Sequence, residues 1–312
     1  MSNIWDIVVS STCACAVCIL IAEILRVIVN YSIEKWRKDP RSPAFLADLS
    51  EIVDSSISAF TYVASTFEKG LLLTVGLRSG FFLVSFILGV VFCYTSSNSD
   101  PTPIYPLVKY WQTIRLGIHG TNHHPSTSYG GFVTSAIRST VTYFKLGWRS
   151  LLGQAVGLFV AISWSKYFWG GWLTSHHVNQ LATLDECSDC QNTAIILAFL
   201  IETGITYIFF VAFGFIDEMF GPRGGDSNLL RSDLMCNVLK NLVALLSMHF
   251  FLDVTGSFAN PYLAYAIQRH CIVDVTRAAI FTFVYVVGPF LGTLVYLSRP
   301  ITWKTPKTKR SV

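Results

Sequence analysis

The chain has 312 residues, of which 52% are hydrophobic and 13% charged, where soluble domains carry about 25% charged residues. A mean hydropathy of +0.49 excludes an ordinary soluble domain, and a net charge of +4 requires no nucleic-acid partner. A multi-pass membrane protein with one transmembrane domain is expected.

In chain order the apolar segments fall at about 7–29, 44–66, 71–94, 147–168, 193–215, 235–253 and 279–298. Each is near the roughly 20 residues that a helix needs to cross a bilayer. The first, Ile7 to Val29, reads as an extra N-terminal span rather than a cleavable signal peptide; its Glu23 and Arg26 read as snorkelling or helix-packing residues. Two less hydrophobic stretches, marked by Pro and Gly, lie at about 98–112 and 255–270. This divides the chain into a helix and basic loop (1–41), a multi-span membrane domain (42–299) and a basic tail (300–312). The tail is a solvated orientation signal that can touch anionic lipid.

Charge sets the orientation. Lys35, Arg37, Lys38 and Arg41 follow the first segment, Lys109, Arg115, Arg138 and Lys145 fall in 95–146, and Lys304, Lys307, Lys309 and Arg310 lie in the tail. Residues 169–192 contain no Lys or Arg and carry Asp185, Glu186 and Asp189. The positive-inside rule puts the tail and 95–146 in the cytoplasm and 169–192 outside or in a lumen. The N-terminus is then also outside.

An internal repeat is present. Ala-Phe-Leu-Ala-Asp at 44–48 matches Ala-Phe-Leu-Ile-Glu at 198–202, each opening a membrane segment. Asp100-Pro101-Thr102 begins 52 residues after Asp48, and Asn260-Pro261-Tyr262 begins 58 residues after Glu202. Gly153 and Gly157 continue one half (44–168), Gly288 and Gly292 the other (193–298). Three spans per half make the halves inverted in topology, as in many channels and transporters.

The stretch 252–266, LDVTGSFANPYLAYA, is the most informative. Asn260 suits a helix N-cap, and Pro261 suits the first helical position, where its missing N–H breaks no bond. Between two spans, the pair fits a half-helix that dips into the bilayer and turns back. Such backbone survives at membrane depth only where it lines a watery path or is buried in protein.

These residues resemble the aquaporin (major intrinsic protein) family over about 44–298. Thr255, Gly256, Asn260 and Pro261 match the family's Thr-Gly-x-x-x-Asn-Pro, AFLIETGITYIFF looks like its fourth helix with Glu202, and VYVVGPFLGTLVY looks like its last. The departures point to the unorthodox superaquaporin subfamily: Tyr262 ends the second box, Leu263 stands where orthodox members place the filter arginine, and Cys271 lies eleven residues after Asn260. The resemblance implies an all-α membrane fold: an inverted repeat of six core transmembrane helices, two re-entrant half-helices and the extra N-terminal helix. It further implies a homotetramer and an intracellular membrane, chiefly the endoplasmic reticulum.

Several residues carry the chemistry this implies. Two half-helices would turn their positive N-terminal ends to the pore centre, raising a barrier to protons and cations. Asp100 in the first box would weaken that barrier. His124-Pro125-Ser126 is an alternative first box, off the repeat spacing at 76 residues from Asp48. Pro106 suggests that the first half-helix starts only there. Counting back from Asn260 puts Met248, Ser257 and Leu263 in the filter, with no cation among them, which suggests glycerol, hydrogen peroxide or other small neutral solutes besides water. Asp48 and Glu202 are read as carboxylates bracing loop backbone, with proton relay as the alternative. Cys13, Cys15, Cys18 and Cys93 read as small hydrophobes. Cys187-x-x-Cys190 with His176 and His177 is a weak zinc pattern, better read as a local disulfide or free thiols. His119, His123 and His124 read as a flexible polar loop.

The expected function is a passive channel for water and small neutral solutes, with membrane lipid as its surroundings and no cofactor or metal. A proton-coupled transporter using Asp48, Asp100 or Glu202, a seven-helix receptor and a scaffold with a closed pore are the competing readings. No GxSxG, HExxH or Walker pattern supports an enzyme.

Overall fold

The computed structural model describes residues 4–37, 45–95, 102–111, 129–171, 174–183, 185–187, 191–220 and 229–298. Among these residues the regular structure is helical, without strands. The elements are α1 (Ile4–Arg37), α2 (Phe45–Thr74), α3 (Arg78–Thr95), the short α4 (Ile104–Lys109), α5 (Tyr129–Gly171), α6 (Ser175–Thr183), α7 (Ile195–Phe220), α8 (Leu229–Thr255), the short α9 (Pro261–Gln268) and α10 (Val275–Leu297). Long helices occupy the seven apolar segments, α4 and α9 fall in the two less hydrophobic stretches, and the nine-residue α6 lies between α5 and α7.

Six of the long helices are long and apolar enough to cross a membrane, as in a multi-pass integral membrane protein. The exception is α2, which carries Asp48, Glu51, Asp54, Glu68 and Lys69. It packs along α5 on one side and α1 on the other. Its Ser55, Ser58, Thr61, Ser65 and Glu68 are buried in protein, so they need not be apolar to sit at membrane depth. The main apolar cluster joins Ile57, Phe60 and Val63 of α2 to Leu158 and Ile162 of α5, Cys18 and Ala22 of α1, and Ala266 of α9.

Glycines set how closely the helices approach. A Cβ on Gly153 or Gly157 of α5 would strike the backbone of α2 at Ile52 and Ser56; a Cβ on Gly292 of α10 would strike α7 at Thr203, and one on Gly288 would meet the Phe199 carbonyl at 3.4 Å. Small residues four apart let two helices touch backbone to backbone, the main source of helix affinity where no hydrophobic effect acts. The two pairs share one register: Ile52 corresponds to Phe199, Ser55 to Glu202 and Ser56 to Thr203. This corrects the register suggested by the two Ala-Phe-Leu strings, in which Asp48 corresponded to Glu202. Backbone contact at the glycines, rather than the similarity of the segment openings, fixes the pairing.

In α10 the helix widens into a π turn over Thr282–Val287 just before Gly288 and Pro289. Pro289 has no N–H to give to the carbonyl four residues back and its ring crowds that carbonyl, so the turn loosens there.

Contacts sort the ends of the helices onto two faces. On one, Arg78 at the start of α3 pairs with Asp253 at the end of α8 at 2.7 Å, and Asn192, just before α7, donates its backbone N–H to the Val254 carbonyl at 3.0 Å. Ile7 of α1 packs there with Leu72 and Phe81. On the opposite face, Arg149 pairs with Asp48 at 2.7 Å, Lys109 with Glu51 at 3.6 Å, and Lys240 with Asp217 at 2.6 Å. Helix α2 therefore starts on the face opposite to that of α7.

Two polar nodes tie the outer pieces to this bundle. Arg26 of α1 is largely buried; it donates to the Thr95 carbonyl at the end of α3, to Glu23, and to Ser58 Oγ of α2 at 3.0 Å, with Asp54 at 3.9 Å. It packs helices and does not snorkel, and its charge suits the negative end of α3. On the other face, Glu68 Oε1 accepts from Trp169 Nε1 at 2.6 Å, and Glu68 Oε2 lies 3.4 Å from His177 Nε2, all three residues being buried. His177 Nδ1 meets Thr174 Oγ1 at 2.9 Å, which docks α6.

Candidate functional site

The segment expected to form the second dip begins where α8 ends. Gly256, Ser257 and Ala259 have φ of 82°, 49° and 45°. Positive φ is unfavourable for Ser and Ala, so the surrounding structure must hold this backbone. Glu202 on α7 does so. Its fully buried carboxylate accepts from Thr255 Oγ1 at 2.7 Å and from Phe258 N at 3.4 Å on one oxygen, and from Ala259 N at 3.0 Å on the other. Three donors on one carboxylate offset much of the penalty of burying it. Tyr285 of α10 adds a bond from its hydroxyl to the Thr255 carbonyl at 3.1 Å.

This brace delivers Asn260 to the start of α9. Asn260 is extended, and its Oδ1 accepts from Tyr262 N at 3.0 Å as an N-cap, with Pro261 at the first helical position. Asn260 is 3% exposed, and its Nδ2 has no hydrogen-bond partner. A buried donor without a partner is uncommon and marks a place where a ligand oxygen would be favoured. Ser257, 4% exposed, likewise has an unpartnered Oγ.

For the first dip, Asp100 and Pro101 lie outside the described residues, as do His119, His123, His124, Pro125 and Ser126. Thr102 is described: its Oγ1 accepts from Ile104 N at 3.2 Å. Helix α4 starts at Ile104, not at Pro106 as expected. Pro106 sits in the first turn, where backbone N–H groups have no partner within the helix, so no bond is lost. Gln154 of α5, fully buried, donates to the Thr102 carbonyl at 3.1 Å and to Ser150 Oγ at 2.8 Å, and Ser55 Oγ donates to Ser150 Oγ at 3.3 Å. Tyr143 donates to the Pro103 carbonyl at 2.7 Å.

Both dips attach to one turn of α5. Tyr262 donates its hydroxyl to the Leu151 carbonyl at 3.1 Å; Gln154, which reaches Thr102, is three residues on, about 4.5 Å along the axis. The segment of the second half thus bonds to a helix of the first.

Other expected site residues lie elsewhere. Asp48 pairs with Arg149 near the start of α2; at the start of the first short helix it is Gln154 and Tyr143 that hold the Thr102 and Pro103 carbonyls, and Glu51 meets Lys109 and Tyr110 at its end. Leu263 packs with Ala198, Phe258, Ala264 and Val284, whereas Met248 packs in a separate cluster with Ile7, Leu72, Phe81 and Val84. Met248 and Leu263 are therefore not brought into one cluster. Cys271 is bonded to Cys187, which corrects the expected Cys187–Cys190 pairing or free thiols: Cys187 meets the end of α9. With Cys187 oxidised and His177 docked on Glu68, the weak zinc pattern does not assemble, and no group of three metal-ligating residues occurs among the described residues.

Gln154, Ser55 and Ser150 were not singled out from sequence. The available signal was Gly153 and Gly157, which flank Gln154 on a helix already marked as closely packed. Compared with protein-family models, curated proteins and solved structures, the chain matches none.

Proposed function

We propose that this protein is a passive membrane channel for water and small neutral solutes such as glycerol or hydrogen peroxide, of the aquaporin type and the superaquaporin subfamily. The observation that carries the proposal is the Glu202-braced segment that presents Asn260, with an unpartnered amide, at the start of a half-helix inside the bundle. Non-helical backbone at that depth has a physical reason when it lines a path for polar solutes. A half-helix N-terminus supplies positive potential, which disfavours cations and protons. The shared glycine register of α2–α5 and α7–α10, with α2 and α7 starting on opposite faces, supports an inverted repeat.

A coupled transporter would need a titratable group free to exchange protons. Of the candidates Asp48, Asp100 and Glu202, Asp100 lies outside the described residues, while Glu202 is occupied by three donors and Asp48 by Arg149, which favours the passive reading. The disulfide lies on the face of residues 185–192, and disulfides form in oxidising compartments. This agrees with the orientation read from charge and supports an endoplasmic reticulum or other lumen on that side. A homotetramer remains part of the proposal from resemblance.

The test is stopped-flow light scattering on proteoliposomes, for water and for glycerol, with wild type beside Asn260→Asp. Flux above empty liposomes that falls at least several-fold in the variant supports a path through the second dip. Folded protein with neither flux would overturn the water and glycerol channel and favour a scaffold.

A further inference from the structure

We propose that the Cys187–Cys271 disulfide is a thiol–disulfide exchange site through which a dithiol on the 169–192 side releases the outer end of α9; this rests on the channel reading. Helix α9 has eight residues, too few to be stable alone, so its order depends on the packing of Leu263, Ala264 and Ala266 and on what holds its ends. Glu202 secures the segment before it. Its other end runs through the turn Arg269–Cys271, and that turn is secured from residues 185–187. Asp185 lies 3.3 Å from an Arg269 guanidinium nitrogen and 3.1 Å from His270 Nε2, and it also pairs with Lys166 of α5 at 2.6 Å. Cys187 adds the covalent tie to Cys271.

The chemistry follows from access. Cys187 is exposed and Cys271 is buried, so an incoming thiolate attacks Cys187 Sγ. The S–S bond breaks, and Cys271 leaves as a thiolate that takes a proton. The second thiol of the reductant then attacks the mixed disulfide and releases Cys187, so the dithiol is oxidised by two electrons as the cysteine pair is reduced. The Asp185 cluster remains between 185–187 and α9; Asp185 itself is solvent-exposed, so its ion pairs are individually weak. The outer half of α9 then loosens while Asn260 stays capped.

The experiment uses the full chain in proteoliposomes and in detergent, oxidised or treated with dithiothreitol, with reduction verified by thiol alkylation. Hydrogen exchange over 261–274 should quicken by about five-fold or more on reduction, whereas 202–210 should be unchanged. Glycerol and water flux should change at least about two-fold, and Cys187→Ser should behave as the reduced wild type and ignore the reductant. Unchanged exchange over 261–274 in fully reduced protein overturns the clamp, as does Cys187→Ser behaving as the oxidised protein. Reduction of folded wild type keeps the test valid if the variant fails to fold. If no flux exceeds empty liposomes, the channel reading falls, while the exchange measurement still decides the clamp.

Discussion

Ser55 and Glu202 occupy the same place in two helix pairs: Ser55 stands against Gly153, and Glu202 stands against Gly288. The carboxylate holds three donors of the second dip, whereas the serine only donates to Ser150, which relays to the first dip through Gln154. The two helix pairs share a packing register and differ in how the short segment beside each is held. Glu202→Ala strands two backbone N–H groups and a hydroxyl, each worth about 1–3 kcal/mol when buried unpaired. It should lower stability by about 3 kcal/mol or more and abolish flux. Ser55→Ala should lower it by about 1 kcal/mol or less. Thermal melting in detergent checks both, and equal effects would contradict the asymmetry.

The glycine contacts are tested by adding one methyl group. Gly157→Ala and Gly292→Ala place a Cβ against rigid backbone of Ser56 and Thr203, so the helices must move apart. Overpacking of this kind costs about 1–3 kcal/mol, and yield of monodisperse protein should fall. Gly204 on α7 has no atom within 4 Å of its would-be Cβ, so Gly204→Ala should be neutral by size-exclusion chromatography.

Leu263→Arg was the natural way to restore an orthodox filter. With Leu263 4% exposed among Ala198, Phe258 and Val284, the new charge enters an apolar cluster and should reduce folded protein before it alters selectivity. Leu263→Met should keep wild-type stability within about 1.5 kcal/mol. Normal folding of Leu263→Arg with a lower glycerol-to-water ratio would place position 263 on the path instead.

The Asp185 cluster gives a pH dependence. The hydrogen bond from Lys166, followed by the charges and bonds of Lys166, Arg269 and His270, holds its carboxyl below the usual carboxylate range. A depressed carboxyl stabilises the folded state above its unfolded pKa, about 3.9, and that contribution is lost as pH falls through the lower folded value. Asp185→Asn should therefore melt slightly below wild type at pH 7, and the difference should close as pH drops below about 4. A difference that persists at low pH would assign the effect to packing.

The long helices were legible because apolar length alone marks a span, and the second dip because Asn-Pro after Thr-Gly fixes a cap and a turn. Glu202 was legible as a carboxylate out of place in an apolar run. The hold on the first short segment was not, since Gln154 is an unremarkable amide in sequence and reaches it through a carbonyl 52 residues away. The packing of Met248 with Ile7, Leu72 and Phe81 was not legible, because spacing along α8 says nothing about which face of the helix meets α1 and α3. The disulfide was missed because proximity in sequence favoured Cys190 over a partner 84 residues off.

The Arg26 node has a consequence for synthesis. Asp54, Ser58 and Thr95 lie 28, 32 and 69 residues further on, so when α1 first reaches the bilayer none of them is yet beside Arg26. A lone guanidinium there is disfavoured by a few kcal/mol. Glu23, one turn back on the same helix, travels with Arg26 as its own counter-ion, and the later helices take over as they arrive. The Glu23–Arg26 pair thus gives α1 a counter-ion of its own that does not depend on the arrival of α2 and α3.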